Sequence, residues 1–189
     1  MPMIREAIVT TLKPDGGAHM VPLGLIADGD GWIIAPFRPS PTLDNLELTP
    51  FAAASHVEDV RVFAGLLTGR RDWPLAPCAH IPVPRLADAV SHLELAVTHR
   101  SEDARRPRLH CRVLAQTSHR PFGGHNRAKL AVIELAILST RLQMLPRDKV
   151  ESEMAYLAIA VGKTAGPEEE EAWEWLVAKI GGHYAGGGD

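Results

Sequence analysis

The period of the hydrophobic pattern changes once along this chain, close to residue 120. Before that point the apolar runs are short and rich in β-branched residues, and Gly, Asp and Pro separate them, as after Ile4–Leu12. Beyond it, Leu130, Ile133 and Ile137 recur at helical spacing. Strands that come first and helices that come last are typical of an α+β fold and argue against alternating βαβ units.

The first three strand-like runs, separated by Gly- and Asp-containing turns, predict an antiparallel meander. Prolines accumulate over Trp73–Pro84, which predicts an irregular or edge segment rather than a central strand. We expect Gly181 and Gly182 to end the last helix. The expected strands are Ile4–Leu12, His19–Ala27, Trp32–Ala35, Phe51–Val57, Leu93–Arg100 and Leu109–Arg120, and the expected helices are Pro41–Leu48, Asp59–Leu67, Asn126–Leu145, Arg147–Gly162 and Pro167–Ile180.

Composition narrows the function classes. With 46% hydrophobic residues among 189, the chain can bury a substantial core, and a net charge of −3 gives no general attraction to nucleic acid or anionic lipid. No apolar run approaches the ~20 residues that span a membrane, and the first residues do not resemble a signal peptide. Two cysteines without a Cys-x-x-Cys pair favour a reduced, cytoplasmic protein.

The segment Ala35–Leu46 is the strongest candidate for a binding site. It places Arg38, Ser40, Thr42 and Asn45 within one proline-stiffened turn that leads into a short helix. A phosphate monoester is bound by charge-assisted donors and by the N–H groups at a helix start, and this turn offers both. A capped loop with incidental polar residues is the structural alternative, and spacing alone does not separate the two.

A second polar cluster follows Gly123 and Gly124. Asn126, Arg127 and Lys129 open a helix, where they could contact an anionic ligand or substrate, or could simply cap a solvated helix. Both interpretations stay open at this stage.

The remaining histidines, nucleophiles and basic residues give weaker indications of function. His92 and His99 lie an odd number of residues apart and would face opposite sides of one strand, so we expect no metal site. No nucleophile and base share a recognisable motif, so the catalytic residues are unassigned. A basic group lacks interleaved aromatic residues for base stacking, which favours a solvated hairpin over nucleic-acid binding. Its members are Arg100, Arg105, Arg106, Arg108 and Arg112.

The motifs together resemble a known family. Those of the first part resemble the FMN-binding split-barrel superfamily: Glu6 with Val9-Thr10-Thr11, Val21-Pro22-Leu23-Gly24, and Pro36-Phe37-Arg38-x-Ser40-x-Thr42-x-x-Asn45-Leu46. Those of the last part resemble the family of domain of unknown function 447: His125-Asn126-Arg127-Ala128-Lys129, Ala131-Val132-Ile133-Glu134 and Thr140-Arg141-Leu142. The resemblance implies an antiparallel split β-barrel over residues 1–122 and a C-terminal helical region over 123–189, packed on the barrel.

The resemblance also implies a cofactor and an assembly. FMN would be bound in a cleft at the interface of a homodimer, with a small molecule as substrate. The phosphate would lie at Arg38, Ser40, Thr42 and Asn45, and the cluster at Asn126 and Arg127 is a further candidate contact. The ring would lie near Thr10, Thr11, Leu23 and Gly24.

The implied function is that of a flavoprotein oxidoreductase. Relatives in bacteria accompany genes for tetrahydromethanopterin-linked one-carbon transfer, which suggests a pterin-type reductant or substrate. The alternative is a non-catalytic module of the same fold, a sensor or carrier that binds flavin or another phosphate-bearing ligand.

Overall fold

The computed structural model describes residues 2–186, which form eight strands and five helices. The strands are β1 (Ile4–Leu12), β2 (Ala18–Asp28), β3 (Gly31–Ile34), β4 (Phe51–His56), β5 (Leu75–Ala76), β6 (Arg85–Leu86), β7 (Ser91–Ser101) and β8 (Arg108–Ser118). The helices are α1 (Pro41–Leu48), α2 (Arg61–Leu67), α3 (Arg127–Ser139), α4 (Arg147–Thr164) and α5 (Pro167–Gly186).

Six of the strands close into an antiparallel barrel in the order β1-β2-β3-β8-β7-β4. The predicted meander is confirmed, because β1 pairs with β2 and β2 with β3. The barrel closes where Thr10 of β1 lies opposite Ala53 of β4. Closure matters physically because an open sheet would leave unpaired N–H and C=O groups along its edge strands.

The barrel interior is filled by small and branched apolar side chains. Alternate residues of each strand point inward, as Ala7 and Val9 do on β1, while Leu43 and Leu46 of α1 join the same core. Helix α1 therefore belongs to the barrel. The core cluster consists of Ala7, Val9, Leu25, Ile34, Leu43, Leu46, Ala52, Ala54, Leu93, Leu95, Leu109 and Cys111.

The proline-rich segment 73–90 packs against the outer face of the barrel. It contains the short pair β5–β6 and is otherwise irregular. The buried side chains of Ile81 and Val83 pack against Ala53, whose side chain points outward from β4. One stretch of the barrel's outer face is thus covered and dry, as its inner face is.

The chain divides into two compact units. One contains the residues up to Val57 together with Asp72–Phe122, and the other contains Glu58–Arg71 together with the residues from Gly123 onward. The second unit therefore includes α2, a segment that the sequence division counted with the barrel. Within that unit α3 packs against α2, α4 and α5.

Two helix ends differ from expectation by more than two residues, and the other helix bounds lie within two residues of those expected. Helix α3 ends at Ser139 rather than Leu145, before the turns that precede Pro146. Helix α5 continues through Gly181 and Gly182 to Gly186, so the expected stop there is wrong. Buried Ile180 and the ring of Tyr184, which lies 5.0 Å from the Arg147 guanidinium, flank the two glycines and hold the helix past them. None of the described helices is long and apolar enough to cross a membrane.

Candidate functional site

The turn between β3 and α1 presents its polar groups at one end of the barrel. Ser40 is the residue that caps α1, and its carbonyl accepts the N–H groups of Leu43 and Asp44. Its hydroxyl makes no capping hydrogen bond to the helix in the described structure. The Ser40 hydroxyl is therefore a donor that a ligand at the start of α1 can use.

The tip of the β7–β8 hairpin holds this turn from the other side. The Arg106 guanidinium donates to the Ala35 carbonyl at 2.8 and 3.0 Å and lies 4.6 Å from the Phe37 ring. The backbone N–H of Arg38 donates to the Arg105 carbonyl at 2.9 Å. These bonds fix the direction in which the turn faces.

The hairpin tip is itself ordered by one carboxylate. Asp103 accepts the backbone N–H groups of Arg106 and Arg105 at 2.7 and 2.8 Å, and these bonds lower the pKa of its carboxyl. The predicted solvated hairpin thus makes specific contacts with the turn through two of its arginines, Arg105 and Arg106.

A surface cavity of about 440 Å³ lies beside the turn. Arg38 and Ser40, two of the four residues predicted to bind a phosphate, line it together with Arg100 of β7. Both arginines are paired with carboxylates: Arg38 donates to Glu102 at 2.8 Å, and Arg100 is bound by Glu47 and Glu102. The bond to Glu47 raises the pKa of the Arg100 guanidinium, which stays charged. The remaining lining residues are Pro39, Leu43, Asp44 and Glu47.

Thr42 and Asn45, the other two residues predicted to bind a phosphate, do not line this cavity. Both are buried, with 2% and 3% of their surface exposed. The Asn45 amide donates to the Thr11 hydroxyl on β1 at 2.9 Å, so it ties α1 into the barrel. Phosphate contact by these two side chains stays a prediction, and their present environment is structural.

The residues expected near a flavin ring lie on two neighbouring strands. Thr11 and Leu23 point toward the barrel interior, whereas Thr10 and Gly24 point outward. The Thr10 hydroxyl is fully buried and has no hydrogen-bond partner among the described residues. A group that supplies an acceptor or donor there would satisfy it.

Gly24 is required by its neighbours on β1. A Cβ at this position would lie 2.6 Å from the Cγ2 atom of Ile4 and 3.0 Å from the Glu6 carboxylate. Any larger residue would push these side chains away, so glycine at this position lets the side chains of Ile4 and Glu6 lie over the backbone of β2.

Asn126 and Arg127 belong to the helical unit. The Asn126 carboxamide oxygen accepts the N–H groups of Ala128 and Lys129, and its amide donates to the Thr164 carbonyl. This is a complete helix cap, worth about 1 kcal/mol. Arg127 is exposed and lines a surface groove of about 260 Å³ between α3 and α4. Flavin contact by either residue stays a prediction.

A hydrogen-bonded row joins the ends of three strands. His110 Nδ1 lies 2.7 Å from Asp28, and His110 Nε2 lies 3.0 Å from the Ser101 hydroxyl. This is the order of a hydrolase relay, but a relay aspartate is buried, whereas 45% of the Asp28 side chain is exposed. The row therefore supports the strand ends rather than nucleophilic catalysis.

Comparison with known proteins identifies the family. The model for "Protein of unknown function (DUF447) N-terminal domain" matches residues 5–120, and the model for "Protein of unknown function (DUF447)" matches residues 126–178. A comparison with curated proteins gave no match.

Solved structures share the fold at low sequence identity. The FMN-bound protein MM1853 from Methanosarcina mazei is 17% identical, with a TM-score of 0.81 over 95% of this chain and 96% of that one. The 2-nitrobenzoate 2-nitroreductase of Pseudomonas fluorescens is 20% identical, with a TM-score of 0.52 over 63% of this chain and 66% of that one. The styrene monooxygenase flavin reductase of Pseudomonas putida S12 is 14% identical, with a TM-score of 0.51 over 61% and 80%.

The fold is therefore the FMN-binding split barrel with an added helical region. The two family models together match most of the chain, and the protein belongs to the DUF447 family.

Proposed function

We propose that this protein binds FMN and acts as a flavin-dependent oxidoreductase. The observation that carries the proposal is the turn itself, because Arg38 and Ser40 line one cavity at the start of α1 and the Ser40 hydroxyl makes no capping bond to that helix. The FMN bound to the Methanosarcina mazei protein and the reductase activities named for other proteins of this fold support it.

The arginine beside the turn can bind a phosphate if the phosphate replaces its present carboxylate partner. Exposed salt bridges contribute only ~0–1 kcal/mol, and Arg38 and Glu102 are 40% and 69% exposed. A phosphate dianion offers the same arginine stronger, bidentate bonds, so it can displace Glu102. Arg100, which Glu47 and Glu102 both bind, is a second cation that lines the same cavity.

The remaining residues would position the rest of the cofactor. When bound, FMN supplies the electron transfer, and the protein supplies binding, orientation and access. A ring that lies against the backbone of β2 at Gly24 would take the place of the Ile4 and Glu6 side chains there. The unsatisfied Thr10 hydroxyl, farther along β1, is a second candidate contact. The chain's own contribution is thus an anchored phosphate and a ring held against two strands.

The anchoring role is tested by a pair of opposite substitutions. Arg38→Ala is expected to weaken FMN binding by ~1.5–3 kcal/mol, the range for a charge-assisted hydrogen bond. Glu102→Gln, which frees Arg38 from its carboxylate partner, is expected to strengthen FMN binding by up to ~1 kcal/mol. Fluorescence titration of the apoprotein with FMN measures both.

Arg112→Ala is the matched control, because it removes an exposed arginine from β8 that lies outside the cavity lining. Equal FMN affinities for the wild-type, Arg38→Ala and Arg112→Ala proteins would place the phosphate elsewhere.

The redox role is tested with the FMN-loaded protein under anaerobic conditions. Reduced nicotinamide is expected to bleach the visible flavin absorbance faster than it bleaches free FMN at the same concentration, because the protein orients the ring. A dihydropterin or another acceptor is then added to reoxidise the flavin. If no nicotinamide and pterin pair reduces the bound flavin faster than free FMN, the protein is a flavin-binding module without turnover.

A homodimer is the assembly that we propose for this site. Phe37 and Leu48 flank the turn and α1, and they are 57% and 65% exposed. Large apolar side chains that remain exposed beside a binding cavity are typical of a surface that a partner covers. A second copy over this face would also shield the bound cofactor from water.

Leu48→Glu tests the dimer, because the side chain is exposed and its replacement leaves the barrel core intact. The variant is expected to become monomeric in sedimentation experiments and to lose FMN affinity, since a buried charge opposes association. Met144→Glu is the control, at an equally exposed (65%) apolar residue of the helical unit. A dimer that survives Leu48→Glu unchanged would contradict this interface.

A further inference from the structure

The covered stretch of the barrel's outer face contains a buried polar group that the flavin site does not use. His92 and Glu94 lie two residues apart on β7, so both side chains point outward, while Leu93 and Leu95 point into the core. Only 3% and 1% of His92 and Glu94 are exposed. Cys78, from the covering segment 73–90, lies beside them.

These three side chains converge on one point. The Cys78 sulfur, one ring nitrogen of His92 and one carboxylate oxygen of Glu94 all lie within 4.8 Å of one another. His92 Nε2 and Glu94 Oε1 are 3.4 Å apart, which is long for a charge-assisted hydrogen bond. The three ligand atoms are close enough to surround one small cation with modest adjustment of their side chains.

Two of the three ligands, Glu94 and His92, are also oriented by a second contact. The Glu94 carboxylate accepts the backbone N–H groups of Ala79 and His80 at 2.9 and 2.7 Å, which holds the neighbouring Cys78 in place. His92 Nδ1 lies 3.0 Å from His119 Nε2, which leaves the other ring nitrogen of His92 toward Glu94. Outer contacts of this kind, to a carboxylate and to the far nitrogen of a histidine, are typical of metal sites.

We propose that Cys78, His92 and Glu94 bind a zinc ion. A thiolate, an imidazole and a carboxylate form a ligand set that suits Zn²⁺, whereas Mg²⁺ and Ca²⁺ prefer oxygen ligands alone. Zinc would take the Cys78 sulfur as thiolate, with release of the thiol proton, and a water molecule would complete four-coordination. Loaded in this way, the site would fasten segment 73–90 to β7.

Two of the three proposed zinc ligands could have been recognised from the sequence. His92-x-Glu94 places two metal-ligating groups on one face of a strand, but the expectation of no metal site did not weigh His92 together with Glu94. Cys78 lies in an irregular segment, so its position depends on the covering of the barrel by residues 73–90.

The test is cobalt and zinc binding to the reduced, full-length protein. Co²⁺ is expected to bind with one-to-one stoichiometry and to produce a thiolate-to-cobalt charge-transfer band, which zinc then removes. In Cys78→Ala the band is expected to disappear. Loss of outer contacts alone costs metal sites about 10- to 100-fold in affinity, so loss of this ligand should weaken zinc binding by more than about 100-fold.

Cys111→Ala is the matched control, because it removes the other cysteine of the chain, which is buried in the barrel core and bonds to the Leu109 carbonyl. It is expected to retain both the band and the zinc affinity. Cys78 is only half-buried, so Cys78→Ala is expected to fold, and circular dichroism checks this. A cobalt complex without the thiolate band, or equal zinc affinities for Cys78→Ala and the wild type, would overturn the proposal.

Discussion

One buried hydrogen bond determines where the candidate binding site faces. The Asn45 amide of α1 donates to the Thr11 hydroxyl of β1, at a point where Leu43 and Leu46 of the same helix enter the barrel core. A buried polar pair of this kind is costly to break, since each buried partner would lose a hydrogen bond that compensates its desolvation. The helix therefore cannot rotate about its axis, and its first turn points in a fixed direction.

From that fixed helix the polar turn extends to a second support. Arg106 on the hairpin tip holds the Ala35 carbonyl, and the Arg105 carbonyl holds the N–H of Arg38. A binding loop that is supported on both sides loses little conformational entropy when a ligand arrives. Without a ligand, the carboxylates of Glu47 and Glu102 pair with Arg100 and Arg38. Both carboxylates are more than half exposed, so a ligand can readily displace them.

The sequence predicted the order of the elements well, because each strand and helix carries its own periodicity. It singled out Arg38 and Ser40, both of which line the cavity, but it could not locate Arg100, which reaches the same cavity from β7 through barrel closure. Thr42 and Asn45 were expected to bind phosphate because their side chains are polar. Their spacing with Leu43 and Leu46 already placed them on the inward side of α1, where a barrel core needs hydrogen-bonding partners for its own backbone and side chains.

Affinity for FMN compared with that for riboflavin tests the central claim most directly. The two ligands share the ring and differ in the phosphate, so the ratio of their dissociation constants isolates the contribution of the turn. If Arg38 and Ser40 anchor the phosphate, FMN binds at least about 10-fold more tightly than riboflavin, and Arg38→Ala brings the two affinities closer together. Equal affinities for FMN and riboflavin in the wild-type protein would contradict the account.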